Sequence, residues 1–221
     1  VKISFYPGSE EIYNNIPCPV TTKSLIPQWY KDIVMPEGFL SVKNCVPFLD
    51  TLSSGYTQVT WDDIHVENIN NKLEVYSDNS RGVSQFGIRG RSDIEISGAF
   101  HKIELLWMRP WSVELPEGYS ALVTHPINRY DLPFITLSGI VDFDTYNHVR
   151  VGNVPFYIYS DFEGVIPKGT PMFQIIPIKR EDWESTKEIY DETVWQEKEK
   201  KRYSMETKAY KKMFWQKKKF Y

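Results

Sequence analysis

Asp142 and Asp144 stand two residues apart in the stretch Gly139-Ile140-Val141-Asp142-Phe143-Asp144-Thr145-Tyr146-Asn147-His148-Val149. On a β-strand that spacing puts both carboxylates on one face. So placed, they can act as a general base and its helper, or they can be no more than a solvated hairpin tip. Tyr146 and His148 lie near enough in the chain to contact the same ligand. His65, His101, His125 and His148 are the remaining metal-type donors, but none forms a close H-x-H pair, and Cys18 and Cys45 add no zinc spacing. No metal site is expected. Arg89-Gly90-Arg91-Ser92 can hold a phosphate in a turn or can be merely an exposed loop.

A framework must position these groups, and the composition says which kind. The chain has 221 residues, 41% hydrophobic and 25% charged, with 14 Pro, 12 Gly and 15% aromatics. That suits one domain of short strands joined by tight turns. Residues 1–50, broken by six prolines, read as an irregular wrapping segment, with one short helix over 24–32. Residues 51–180 read as the β domain, with strands over 57–66, 72–76, 103–107, 112–115, 119–124, 134–141, 149–159 and 172–178. Their spacing indicates an antiparallel barrel or jelly roll rather than βαβ units. Ile135, Leu137, Val149 and Val151 are the expected inward set beside the aspartates, and Trp61, Trp107 and Trp111 are expected core or interface aromatics. Beyond Arg180 there is neither Gly nor Pro, so residues 181–221 read as a helical basic arm, helical over about 181–216. From Lys198 onward ten basic residues face only Glu199 and Glu206, a net of +8 on a chain of net −3, which leaves −11 on the rest. The Lys217-Lys218-Lys219 run on an acidic chain is expected to be a solvated terminus or a contact within its own assembly rather than a nucleic-acid interface. No apolar run approaches the ~18 residues of a membrane span, and the first residues lead into no signal-type core. A soluble protein of the cytoplasm, host cytoplasm if viral, is expected, with a virion location as the alternative.

The aspartate stretch, followed by Gly169-Thr170-Pro171-Met172-Phe173-Gln174-Ile175-Ile176, resembles the third and fourth motifs of the trimeric dUTPases, which share their barrel with the dCTP deaminases. The resemblance implies a dUTPase-like, mainly antiparallel β-barrel assembled as a homotrimer, with a nucleotide pocket between subunits. It implies that Asp142 takes the place of the aspartate that activates water, Asp144 that of the second aspartate, and Gln174 that of the glutamine before an apolar strand. The wider text, including Arg109-Pro110-Trp111-Ser112 and Leu115-Pro116-Glu117-Gly118-Tyr119-Ser120, is also similar to a bacteriophage and bacterial family that brings no established activity. That second likeness covers about residues 20–184 and suggests a viral accessory protein.

Against the dUTPase pattern, Thr145 occupies the place of the tyrosine under the sugar, and Tyr146 comes one position late. Thr57 replaces the aspartate of the first motif. Where an R-S-S motif would clamp phosphate the chain reads Thr124-His125-Pro126-Ile127-Asn128-Arg129, leaving His125 and Arg129 as ligand contacts. The glycine-rich closing tail is replaced by the arm, and Val149-Arg150-Val151 offers no deaminase glutamate. Losing positioning and charge stabilisation removes most of the catalysis in phosphoryl chemistry. The expectation is therefore a viral accessory protein that sequesters or senses a nucleotide-like small molecule without turning it over. It needs no cofactor, and Mg2+ enters only with a bound nucleoside triphosphate. A phage structural or assembly protein and a divergent nucleotide diphosphohydrolase are the alternatives.

Overall fold

Short runs of β-branched and aromatic residues, each stopped by Gly, Pro or Asn, favour strands that turn back on themselves. The computed structural model describes residues 1–34, 41–70, 72–147, 152–203 and 209–221. In chain order its elements are β1 (Ser4–Pro7), α1 (Glu10–Asn15), β2 (Val20–Thr21), α2 (Gln28–Lys31), α3 (Val46–Ser53), β3 (Tyr56–Val59), β4 (Ile64–Ile69), β5 (Lys72–Ser77), β6 (Phe86–Arg91), β7 (Ile103–Trp107) and β8 (Trp111–Glu114). They continue as β9 (Tyr119–Thr124), β10 (Phe134–Thr136), β11 (Gly139–Val141), β12 (Val154–Ile158), β13 (Gly164–Ile166), β14 (Pro171–Lys179), α4 (Glu192–Tyr203) and α5 (Ala209–Met213). The order is β11-β9-β14-β3-β2 in one sheet and β10-β12-β7-β6 in a second, with smaller sheets β13-β4-β5 and β1-β8. Every ladder is antiparallel. The expected mainly β, antiparallel architecture with helices at the C-terminal end is thus the one observed.

The core fills the space between the two larger sheets. Trp107 and Phe156 stack with centroids 3.6 Å apart, and Phe134 meets Trp107 edge-on at 5.0 Å. The indole N–H of Trp107 donates to Thr136 Oγ1 at 3.0 Å, and that hydroxyl donates onward to the Met172 carbonyl at 2.8 Å, so the one polar atom of the ring is satisfied indoors. Trp61 likewise donates to the Val83 carbonyl at 2.9 Å. All three expected core tryptophans, Trp61, Trp107 and Trp111, are buried.

Several boundaries differ from the sequence expectation for identifiable reasons. The run 57–66 is two strands, because Trp61 and Asp62 turn away and donate their backbone N–H groups to Gln85 Oε1. The run 134–141 is also two strands lying in different sheets. Its corner is at Leu137-Ser138, where Leu137 N–H reaches the Pro155 carbonyl at 2.8 Å and Ser138 shares a 2.6 Å hydrogen bond with Thr124. The inward row here is Phe134 and Thr136, so Ile135 and Leu137 are only half-buried, a one-residue difference in register. Val149 and Val151 lie outside the described residues. β6 has no counterpart among the expected strands, and Arg89-Gly90-Arg91 lies in it rather than in a loop, Gly90 with φ of +121° sitting at a register shift between Ile88 and Gly90. The expected helix 24–32 is confined to α2, with Pro27 at its N-cap. Residues 181–191 carry no helix. Asp191 accepts from the N–H groups of Thr193 and Val194, and that cap starts α4 late.

The N-terminal segment is tied in through β1 and β2, which pair with β8 and β3. The C-terminal tail returns to the body: Trp215 Nε1 and Lys218 Nζ both donate to Asp50 Oδ2, at 2.9 and 2.8 Å, and Tyr56 Oη donates to the Tyr221 carbonyl at 3.0 Å. Among the described residues no helix is long and apolar enough to cross a membrane.

One turn is exacting. Gly55 has φ +68°, and a Cβ there would stand 2.1 Å from the Ile175 carbonyl oxygen on β14. Gly55→Ala is expected to lower stability by more than about 2 kcal/mol in urea unfolding, since backbone strain and a clash with another backbone act together. A loss below about 0.5 kcal/mol, the scale of a bland surface change, would show that the turn can shift freely.

Candidate functional site

β11 pairs with β9 and then breaks at Asp142, where a turn forms because Thr145 and Tyr146 both donate their N–H groups to the Asp142 carbonyl, at 3.1 and 2.7 Å. Leu115 N–H donates to the Phe143 carbonyl at 3.2 Å, anchoring the turn to the end of β8. Phe143 is therefore buried, while the aspartates on either side of it point the other way. Both meet Arg180, the residue that follows β14. Arg180 Nη1 donates to Asp142 Oδ1 at 3.3 Å and to Asp144 Oδ1 at 3.0 Å, and its Nη2 donates to Asp144 Oδ2. Ser120 Oγ donates to Asp142 Oδ1 at 2.6 Å, and Gly118 N–H donates to Asp144 Oδ2 at 3.0 Å.

The two carboxylates are not equivalent. The Asp144 side chain is 4% exposed and that of Asp142 60%. Hydrogen bonding from Arg180, aided by the Gly118 N–H and by the guanidinium charge, holds the Asp144 carboxyl down to about 2. A carboxylate so stabilised is a poor proton acceptor near neutrality, and Asp142 has Ser120 and Arg180 on the same oxygen. The pair reads as a clamp that pins the hairpin to β14.

On the opposite side of the turn lies a cavity of about 430 Å³. Val123, Leu137, Val141, Val154, Phe173 and Ile175 make its apolar wall, and Arg109, Ser138, Tyr146 and Asn153 supply polar atoms. Arg109 sits in the link between β7 and β8, held by Pro110, whose carbonyl accepts from Gly8 N–H at 3.2 Å. Its guanidinium carbon lies 5.0 Å from the Phe143 ring centre and 5.6 Å from that of Tyr146. Nε and Nη2 are buried without a hydrogen-bond partner. No acidic side chain is paired with Arg109 among the described residues, and burial pushes its pKa down from the ordinary arginine value. An arginine stays charged nonetheless. Gly152 makes room for it, since a Cβ there would fall 2.4 Å from Nη2.

The structure brings Tyr146 alone, of the sequence-selected residues, to the wall of this cavity. Asp142 and Asp144 are on the clamp side. Gln174 is fully buried in the centre of β14, where its Nε2 donates to the carbonyls of Thr51 and Ser54, at 3.1 and 2.6 Å, and its Oε1 accepts from Ile127 N–H at 2.9 Å. It knots the end of α3 to the loop after β9. His125 is locked between the Arg129 carbonyl, 3.1 Å from Nε2, and Thr136 N–H, 3.3 Å from Nδ1, and its burial lowers its pKa. Arg129 forks onto Asp131. Burial acts upward on Asp131, but the Arg129 hydrogen bonds and charge outweigh it and leave the carboxyl below its usual range. His148 lies outside the described residues. Arg109, the group that most marks the cavity, was not selected from sequence. Its one signal was an arginine set before Pro110-Trp111 between two predicted strands, in apolar text.

Among the described residues no group of three His, Cys, Asp or Glu side chains is placed to hold a metal ion. The two hairpin carboxylates, being engaged by Arg180, do not offer the free oxygen set that Mg2+ needs.

No protein-family model matches the chain, and no curated protein sequence matches it. Solved structures do. The chain is similar to phage dUTPases. The dUTPase of Staphylococcus bacteriophage 80alpha, solved with dUpNHpp, is 13% identical over 86% of this chain and 90% of that one, with a TM-score of 0.36. The dUTPase from phage phi11 of S. aureus is 11% identical over 87% of this chain and 99% of that one, with a TM-score of 0.37. A likeness at this level supplies no residue correspondence, and the chemistry must be drawn from this chain's own side chains.

The clamp should announce itself in acid. With the folded pKa of Asp144 near 2 and its ordinary value 3.8, the unfolded chain binds more protons than the folded one between those limits. Stability contributed by the clamp is therefore complete above about pH 4 and is lost as pH falls towards 2. Asp144→Asn is expected to be less stable than the unmutated protein at pH 7, with the gap closing across that window. Thermal melts at stepped pH measure it, and a gap unchanged from pH 7 to pH 2 would mean that Arg180 does not act on the charge.

Proposed function

We propose that the cavity beside Arg109 binds a nucleotide-like small molecule, an apolar or planar body carrying an anionic group, and holds it without turning it over. The observation that carries this reading is a buried guanidinium with two unpartnered nitrogens on the wall of an otherwise apolar cavity of about 430 Å³. A buried donor without an acceptor costs on the order of 1–3 kcal/mol, more for a charged group, and a ligand oxygen on Arg109 recovers much of that. The cavity volume lies in the usual range for small-molecule sites. The Phe143 and Tyr146 rings lie 5.0 and 5.6 Å from the guanidinium carbon, and Tyr146 supplies surface for a base or a sugar. The absence of turnover follows from the clamp: the carboxylate that the dUTPase resemblance puts forward as base, Asp142, accepts from Ser120 and faces Arg180 rather than the cavity. Sequestration or sensing in a viral accessory role fits a pocket of this kind. Assembly as a homotrimer belongs to the same reading.

Isothermal calorimetry against a panel of mono-, di- and cyclic nucleotides tests the proposal. At least one is expected to bind, and Arg109→Gln is expected to weaken it by about 10- to 100-fold, the scale of a lost hydrogen bond to a charged group. Should no member bind the unmutated protein, the pocket reading fails and a structural or assembly role becomes the better one. Incubation with dUTP and Mg2+ is expected to release no pyrophosphate at enzymatic rates. Turnover that disappears in Asp142→Asn would overturn the non-catalytic part alone.

A further inference from the structure

The arm beyond β14 carries apolar side chains that stay exposed among the described residues. Trp183, Ile189, Tyr190, Val194, Trp195 and Tyr203 are all exposed, Trp183 and Ile189 at 88% and 98%. No residue of α4 is buried. The tail beyond α5 behaves otherwise, since Trp215 and Lys218 reach Asp50 on the body. Apolar surface on this scale, in the segment before α4 and on α4 itself, is costly unless something covers it.

The charge pattern says what. Residues 181–197 hold seven carboxylates against the single Lys187, a net of −6, and residues 198–203 hold Lys198, Lys200, Lys201 and Arg202 against Glu199, a net of +3. The switch from acid to base falls just after the apolar group Tyr190, Val194 and Trp195, in which the Tyr190 and Trp195 rings already lie 6.2 Å apart. A run that is acidic on one side of an apolar centre and basic on the other is complementary to itself when reversed. Parallel alignment would set acid on acid and base on base.

We propose that the arm pairs antiparallel with the arm of a second copy of this chain, about a two-fold axis near Trp195. Val194 and Trp195 of each copy then cover those of the other, and the acidic half of each faces the basic half of the other, Glu192 lying beside Lys198 of the second copy. The contact is isologous and closes on itself. It doubles whatever the body forms, a dimer from a monomer or six chains from a trimer. Its charge component makes it salt-sensitive. This inference does not depend on the pocket.

The test uses two full-length variants and their mixture. In the first, Glu184→Lys, Glu188→Lys and Glu192→Lys make both halves basic. In the second, Lys198→Glu, Lys200→Glu and Arg202→Glu make both halves acidic. Light scattering at about 100 μM is expected to give an even number of chains for the unmutated protein, half that mass for each variant alone, and the full mass again for the equimolar mixture. All six positions are exposed, so far-ultraviolet circular dichroism of each variant should keep the sheet signal. An odd number of chains in the unmutated protein overturns the proposal. So does either variant retaining the full mass alone, which would place the contact on the body. A mixture that stays at the lower mass overturns it too, because the arms would then be bound to something other than each other.

Discussion

β14 is paired on both sides, with β9 along one edge and β3 along the other, and almost everything of functional interest hangs on that double ladder. Its first five residues are buried because neither face meets water, which is why the segment reads as continuous apolar text interrupted by a single glutamine. The alternation of side chains then divides its roles. Phe173 and Ile175 point to the cavity wall, while Gln174 points the opposite way and satisfies three backbone groups of two separate loops. Where the ladder ends, Arg180 N–H donates to the Gly118 carbonyl at 2.8 Å, and its side chain pins the aspartate hairpin. One strand thus fixes the floor of the cavity, the loops behind it and the turn that rims it.

That arrangement explains how much could be read beforehand. Strands with a strong apolar or alternating pattern, such as β7, β9 and β14, lie where the text places them, because local pattern and tertiary burial agree. The pairing of Asp142 and Asp144 on one face was also legible, since it needs only the two-residue period. Its meaning was not. The partner, Arg180, lies 36 residues beyond Asp144 and comes close only because β14 runs antiparallel to β9, which in turn pairs with β11. The resemblance to dUTPases directed attention to the carboxylates as a base and its helper, and the ion pair accounts for them instead as a structural clamp. Gln174 illustrates the same limit: the pattern placed it correctly in a strand, but only the fold reveals that its amide serves loops rather than a ligand.

Arg109 was illegible for a different reason. A single arginine in a link between strands carries no periodicity, and its significance comes from what surrounds it in space. Phe143 arrives from the clamped turn, Gly152 and Val154 from just before and at the start of β12, and Phe173 from β14, so three remote segments bury a cation that has no acidic partner among the described residues. The hairpin clamp is a condition for this. If Arg180 did not hold Asp142 and Asp144 on the outer side, a carboxylate from the same turn could rotate inward and neutralise Arg109 within the protein.

The two arginines therefore divide one electrostatic problem. Arg180 is half-exposed and bonded to both carboxylates of the turn, so one of the two negative charges is offset and the outer side of the turn keeps a net charge of about −1. Arg109 is left uncompensated on the inner side, among apolar walls where a charge interacts more strongly than in water. On the proposed reading, a molecule entering the cavity meets a positive site with hydrophobic flanks, and one with an anionic group near an apolar or planar body satisfies both at once. A neutral apolar molecule would leave the guanidinium unpaired and further dehydrated, and a bare inorganic anion would leave the wall of Val123, Val141 and Phe173 uncovered. The alternation of Asp142, Phe143 and Asp144 thus sends both carboxylates of the turn to Arg180 and leaves the Phe143 ring, 5.0 Å from the Arg109 guanidinium carbon, on the cavity side.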